Sequence, residues 1–77
     1  MEKNTVNQNY QQRVEDIARR IKNARLESGK TQGKVAIHLG QSQSYISKIE
    51  SGNQPVTAAE LKLLADFYKL PVTDFFD

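Results

Sequence analysis

The sequence predicts an all-α domain, and three observations lead to that fold class. Apolar residues recur at steps of three and four over several short segments, which is the spacing of helices that bury one face. Capping residues and glycines separate these segments at intervals of a few residues. No segment alternates apolar and polar residues as a strand does, and no repeat is present. Five short helices with brief connections therefore form the predicted compact domain.

The first predicted helix covers residues 11–27. Residues 1–9 lack periodicity and are predicted to be a disordered tail, which leaves residues 10–77 as the domain. Ser28 and Gly29 end the helix. Its inward positions, three and four residues apart, are Val14, Ile17, Ala18, Ile21 and Ala24.

Two short helices follow, joined by a turn that contains glycine. Thr31 is the predicted N-cap of the second helix, Gln32–Leu39, and Gly40 ends that helix. Ser42 caps the third helix, which stops at Ser51–Gly52. The inward residues of the second helix are Val35, Ala36 and Leu39, and those of the third are Ile46 and Ile49.

A capping box marks the fourth helix. Thr57 is followed three residues later by Glu60, so that the two side chains satisfy each other's backbone amides. Pro71 ends the helical pattern, and Thr73 is predicted to cap a last short turn that places Phe75 or Phe76 on the core. The inward residues of the fourth helix are Leu61, Leu64, Ala65 and Tyr68.

Size and composition exclude several classes of protein. At 77 residues, with 38% hydrophobic and 26% charged residues, the chain is one folded domain at most. It has no Cys, and its single His38 has no neighbouring ligand, so neither a disulfide framework nor a metal site is expected. No apolar stretch suits a signal peptide or a membrane span, and the cytoplasm is the predicted location.

The charge is unevenly distributed along the chain. The net charge is only +2, yet Arg13 to Lys48 holds eight basic residues against three acidic ones, and Ile49 to Asp77 holds two against five. Such asymmetry indicates nucleic-acid binding only in combination with a motif, because a basic solvated helix face has the same composition.

The third helix carries that motif. Opposite its apolar arc lie hydrogen-bonding side chains, and a helix, a glycine turn and a second helix with such a face form a helix-turn-helix. The DNA major groove admits a helix of this kind. Gln43 can pair with adenine, Lys48 can donate to guanine, and Ser44 can do either. At the start of the second helix, Thr31 and Gln32 are placed to contact a phosphate.

The run RLESGKTQGKVAIHLGQSQSYISKIESGNQPVTAAELKLLADFYKLPV, which begins at Arg25, resembles the Xre family of Cro and lambda-repressor-like DNA-binding domains. The resemblance extends from Arg13 to Phe76. It rests on Arg25, Gly29, Thr31, Gln32, Ala36, Gly40, Ser42, Ile46, Ser47, Ile49, Glu50, Ser51, Gly52, Pro55 and the segment Leu61 to Leu70. It implies a lambda-repressor-like domain in which helices two and three are the helix-turn-helix.

The resemblance also implies residue roles. The third helix would be the recognition helix, with Arg25 and Glu50 as an ion pair that ties it to the first helix. The implied base-reading residues are Gln43, Ser44, Lys48 and Tyr45. The implied phosphate-binding residues are Thr31, Gln32, Ser42, Ser47 and Asn53.

Three residues depart from the family pattern and are expected to weaken the second-helix region. Lys30 replaces a usual apolar residue, and Gln41 replaces a usual Val or Ile. Gly33 lies inside the second helix, where Gly costs about 1 kcal/mol relative to Ala.

The function that the resemblance implies is that of a transcription regulator, a repressor of bacterial, phage or mobile-element origin that binds double-stranded DNA and so associates with the nucleoid. One recognition helix reads only about four or five base pairs, so a homodimer on a palindromic operator is expected, at least on DNA. Phe75 and Phe76 would either form the dimer contact or close the core. The alternative is a protein–protein interaction module or adaptor, whose third helix would present an apolar or acidic face.

No enzymatic activity is predicted. His38 has no second catalytic partner nearby, and ordinary caps and ion pairs account for Glu50, Asp66 and Asp74. Stacking on single-stranded nucleic acid is not favoured, because most aromatic residues lie in the acidic half. No cofactor, small-molecule ligand or membrane partner is expected.

Overall fold

A computed structural model describes the backbone of residues 2–76 and the side chains of residues 9–76, and its regular structure is helical throughout that range. The elements are α1 (Glu2–Glu27), α2 (Gln32–Leu39), α3 (Gln43–Glu50), α4 (Ala58–Tyr68) and a 3-10 helix (Val72–Phe75). The all-α fold class is therefore confirmed. None of the helices within residues 2–76 has the length and apolar content that a membrane span requires.

The predicted count of five helices is wrong for the described residues, which form four α-helices. The last segment is a four-residue 3-10 helix in which Asp74 and Phe76 donate to carbonyls three residues earlier. Pro71 occupies its N-cap position without a side-chain hydrogen bond, so the predicted cap at Thr73 is also wrong. A segment this short, confined by Pro71, closes i to i+3 bonds more readily than a full α-turn.

The predicted start of α1 is wrong as well. The helix begins at Glu2 instead of residue 11, so the backbone of residues 2–9 is helical, while Met1 lies outside the described residues. No Gly or Pro precedes Gly29, and each residue added to a packed helix gains one hydrogen bond. Apolar periodicity cannot detect a polar extension of this kind. A domain boundary at residue 10 stays a prediction.

The predicted caps position the three later helices. The hydroxyls of Thr31, Ser42 and Thr57 each accept a hydrogen bond from the backbone amide three residues on, at 3.1–3.2 Å. At Thr57 the box is complete, because its own amide donates to Glu60 at 3.0 Å. These four hydrogen bonds replace the intrahelical partners that the amides at the start of a helix lack.

The core forms where the four helices and the 3-10 helix meet. All the inward residues predicted for α4 are buried, as are Ala18, Ile21 and Ala24 of α1, whereas Val14 and Ile17 are half-buried. Phe75 is buried and Phe76 is 53% exposed, so only the first of the two closes the core. The fully buried large side chains are Phe75, Ile21, Ile46, Ile49, Leu64 and Val35.

The loop after α3 packs tightly on α1. Gly52 has φ +81°, a left-handed conformation that is cheap only for glycine, and a Cβ there would lie 3.1 Å from Cγ of Glu15. The side chain of Gln11 donates to the carbonyl of Gly52 at 3.1 Å. The end of α3 is thereby fixed against the first helix.

Candidate nucleic-acid interface

The turn between α2 and α3 has the geometry of a helix-turn-helix. Gly40 adopts a left-handed conformation with φ +67°, and its amide donates to the carbonyl of Ile37 at 3.1 Å. The amide of Gln41 donates to Ala36 at 2.9 Å, which completes a Schellman-type end to α2. Ser42 then caps α3, so that only three residues separate the two helices.

The outer face of α3 is polar and exposed. Gln43, Ser44, Ser47 and Lys48 are exposed, whereas Ile46 and Ile49 on the opposite face are buried. Within residues 9–76, the side chains of the four exposed residues form no hydrogen bond or ion pair. Their donors and acceptors are therefore available to an external partner.

The N-termini of α2 and α3 lie side by side. A Cβ built on Gly33 would be 3.9 Å from Oε1 of Gln43, so the start of α2 borders the first side chain of the proposed reading face. The first-turn amides of α2, which form the positive end of its helix dipole, therefore lie next to Gln43. Thr31 and Ser42, both exposed, cap these two starts.

Arg25 and Glu50, the residues of the predicted ion pair, form a bidentate contact. Nε of Arg25 donates to Oε2 of Glu50 at 2.7 Å, and the terminal nitrogen NH2 donates to Oε1 at 3.0 Å. The other terminal nitrogen, NH1, donates to the carbonyl of Lys30 at 3.0 Å. The hydrogen bond to Glu50 raises the pKa of Arg25 above its ordinary value. This pair joins α1 to the C-terminal end of α3.

Gln32 has a different partner from the predicted phosphate. Its side-chain amide donates to Oε1 of Glu50 at 3.1 Å, and the residue is half-buried. The carboxylate of Glu50 therefore binds both α1 and α2. A phosphate contact by Gln32 stays a prediction, and in this structure its side chain is turned towards the end of α3.

Tyr45 forms a hydrogen bond to α4, and this contact disfavours its predicted role in reading bases. Its hydroxyl donates to Glu60, with both carboxylate oxygens at 3.0–3.1 Å, and the ring packs on the core. Burial, and next the hydrogen bond to Glu60, raise the pKa of Tyr45 above its ordinary value. Sequence reasoning missed this contact because the capping box alone accounted for Glu60. The available signal was a tyrosine at the edge of the apolar arc of α3.

The remaining predicted phosphate residues lie around the end of α3. Asn53 is exposed in the loop, and its side-chain amide donates to the hydroxyl of Ser51 at 3.0 Å. Ser47 is exposed on α3 itself. Neither position is covered by another part of the described chain, so both predictions stay open to test.

The departures expected to weaken α2 are partly compensated. Phe67 of α4 stacks against His38 with ring centroids 4.1 Å apart, and Nζ of Lys30 lies 5.1 Å from the same ring. Lys30 thus places its ammonium group over the ring of Phe67, a cation–π contact. No group of three or more potential metal ligands occurs within the described residues.

The fold and the exposed face of α3 together define a helix-turn-helix domain. A family model described as a helix-turn-helix domain matches residues 16–75, and the chain belongs to this family. The helix-turn-helix domain that the resemblance noted in the sequence implies is thereby confirmed.

Comparison with solved structures gives the same fold. The chain is similar to the restriction-modification controller protein C.AhdI from Aeromonas hydrophila, with a TM-score of 0.80. The alignment covers 87% of this chain and 97% of that one at 21% identity, which is evidence for a shared fold. Comparison with curated proteins gives no match.

Proposed function

We propose that this protein is a sequence-specific double-stranded DNA-binding transcription regulator of the repressor type, from a bacterium, a phage or a mobile element. The observation that carries the proposal is the exposed, hydrogen-bonding face of α3, held on a helix whose opposite face is fixed in the core. An eight-residue helix with such a face fits the major groove. The fold shared with a restriction-modification controller protein supports a regulatory role.

The proposed contacts divide into two sets. Gln43, Ser44 and Lys48 read base edges, because their side chains are exposed on one arc of α3. The phosphate contacts fix the register of the protein on the duplex without reading sequence. The proposed phosphate set is Thr31, Gln32, Ser42, Ser47 and Asn53.

A homodimer on a palindromic operator is part of the proposal. A single α3 reads too few base pairs for selectivity among the competing sites of a genome. Phe76, 53% exposed beside the buried Phe75, is the proposed contact between copies. Sedimentation over a range of protein concentrations tests it, and Phe76→Ser is expected to weaken self-association. A concentration-independent monomer, free and on DNA, would refute the dimer.

Selection from a pool of random duplexes at physiological salt tests the function. The expected result is an enriched short inverted repeat. Lys48→Ala should then weaken binding to that duplex by about 1–3 kcal/mol, the worth of one good base contact, and affect random DNA far less. Lys62→Ala is the matched control, because it removes the same side chain from α4, where Lys62 pairs with Asp66 at 3.2 Å. An equal loss on both DNAs would assign Lys48 to a phosphate.

A second candidate is a protein–protein interaction module. The observation that favours it is Ile37 on α2, which is 82% exposed although it is a large apolar side chain. Recovery of no enriched duplex in the same selection would favour this candidate over DNA reading.

A further inference from the structure

Two buried carboxylates hold α3, one near each end. Glu50 and Glu60 are the buried charged residues among those that the structure describes. Glu50 ties the C-terminal end of α3 to Arg25 and Gln32. Glu60 accepts a hydrogen bond from Tyr45, in the first turn of α3. Buried charges persist in proteins where they are paired or hydrogen-bonded, and here both sets of bonds converge on the same helix.

The position of the Glu60 carboxylate is set independently of Tyr45. Its Oε1 accepts from the backbone amide of Thr57 at 3.0 Å, and its own amide donates back to the Thr57 hydroxyl at 3.1 Å. This capping box belongs to α4 and is complete within that helix. The hydroxyl of Tyr45 therefore bonds to an acceptor that is already oriented, which makes the contact a fixed anchor point for α3.

The N-terminal half of α3 depends on this anchor. Ile46 and Ile49 fix the depth of the helix in the core and Glu50 restrains its C-terminal end, but apolar contacts are non-directional and do not by themselves set the fine orientation of the first turn. The Ser42 cap is local to α3 and does not tie it to another element. Gln43 and Ser44 make no side-chain bond within the described residues, so the tyrosine beside them is the polar link from this half to the rest of the domain.

We propose that Tyr45 is a positioning residue for DNA recognition, whose hydrogen bond to Glu60 fixes the rotation of α3 and hence the orientation of Gln43 and Ser44 towards the bases. The inference rests on the proposed function and deepens it. Recognition groups must be held within about 10–20° of the productive geometry, and a helix free to roll by more than that loses base contacts before it loses phosphate contacts. Tyr45 acts on selectivity through its neighbours, without touching a base itself.

Tyr45→Phe tests the inference, with Tyr68→Phe as the matched control. The first variant keeps the ring in the core and removes the bond to Glu60. The second removes the same atom from another core tyrosine, whose buried hydroxyl has no hydrogen-bond partner among the described residues. Circular dichroism and thermal unfolding establish that both variants fold.

Dissociation constants are measured on the duplex enriched by the wild-type protein and on a scrambled duplex of equal length. Tyr45→Phe is expected to weaken binding to the enriched duplex about 5- to 20-fold and to the scrambled duplex less than about twofold. Tyr68→Phe is expected to change neither constant by more than about twofold. A merely structural loss would raise both dissociation constants together, so the ratio of the two is the informative quantity.

Glu60→Gln is the second variant. It retains an acceptor for both Thr57 and Tyr45, and glutamine also serves in a capping box, so wild-type selectivity is expected to persist. A loss of selectivity as large as that of Tyr45→Phe would show that the charge of Glu60 acts instead of the hydrogen bond, and would overturn the inference.

Two further results would also overturn it: unchanged selectivity in Tyr45→Phe, or an equal loss on both duplexes. The second would mean that the hydroxyl supports the fold or contacts the DNA backbone and does not act on selectivity. If the wild-type protein enriches no duplex, the proposed function fails and the inference fails with it. Enrichment by the wild-type protein with unchanged selectivity in Tyr45→Phe refutes the inference alone.

Discussion

Replacement of Arg25 by leucine is expected to destabilise the fold by about 3–5 kcal/mol, the usual cost of removing one partner from a buried ion pair. The side chain of Glu50 is 3% exposed and that of Arg25 is 11% exposed, so the remaining carboxylate cannot reach water without a rearrangement of α3. Of its three charge-assisted donors, only Gln32 would be left. A domain of 77 residues has about 4–12 kcal/mol of stability in total, so the variant should lose a quarter of it or more.

Urea unfolding followed by circular dichroism measures this effect. Three proteins are compared with the wild type: Arg25→Leu, Glu50→Leu and the double variant. Because an apolar pair of similar volume often replaces a buried ion pair without loss, the double variant should be more stable than Arg25→Leu by about 2 kcal/mol or more. Arg19→Leu is the control for loss of a surface charge, since Arg19 pairs with Asp16 at 3.2 Å while 58% exposed and should cost less than about 1 kcal/mol.

The reasoning would be refuted by either of two results. One is a loss in Arg25→Leu of less than about 1 kcal/mol, which is the range of an exposed pair. The other is a double variant whose loss equals the sum of the two single losses, because additivity would mean that the two side chains do not interact.

Three further predictions concern the scaffold. Gly52→Ala should destabilise the fold more than Gly29→Ala in thermal unfolding. Both substitutions force alanine to a left-handed φ, which costs about 1–2 kcal/mol, but only at Gly52 would the new methyl group also lie 3.1 Å from Cγ of Glu15. Equal losses would contradict the close packing at Gly52. Burial raises the pKa of Tyr68 to about 12, so the unfolded chain, with its tyrosine pKa of about 10, releases this proton first and stability falls from about pH 10 to pH 12. Urea unfolding at about pH 9 and pH 11 should show a smaller fall in Tyr68→Phe than in the wild type, and parallel falls would refute the assignment. Lys69→Gly should raise the melting temperature by relieving the left-handed φ of +59° at the C-cap of α4, a gain of about 1 kcal/mol that an unchanged melting temperature would exclude.

Local chemistry explains which parts of the fold were predictable. The starts of α2, α3 and α4 follow from a hydroxyl that caps its own helix, and such a contact joins residues only three apart in sequence. The glycine at the end of α2 follows from a backbone requirement that few other residues meet. These signals lie within a single turn of chain, so one sequence contains them completely.

The wrong predictions and the missed contacts have a different origin. The polar first turns of α1 have no apolar period, and their helical state depends on continuity with packed residues further along. The bond from Tyr45 to Glu60 joins positions fifteen apart, and the aromatic stack of His38 on Phe67 joins two helices. Such contacts depend on how the helices pack, which neither periodicity nor capping reveals. The exposed positions of α3 were predictable, because a helical wheel separates them from Ile46 and Ile49.

The two anchors of α3 have a consequence for how the protein can evolve. Stability rests on the inward half of the eight-residue helix, through its isoleucines, Tyr45 and Glu50, whereas the proposed reading positions contribute little to it. Exposed substitutions of this kind usually change stability by less than about 0.5 kcal/mol. A lineage of such proteins could therefore acquire new operators by single substitutions at positions 43, 44 and 48, each intermediate remaining folded and available to selection.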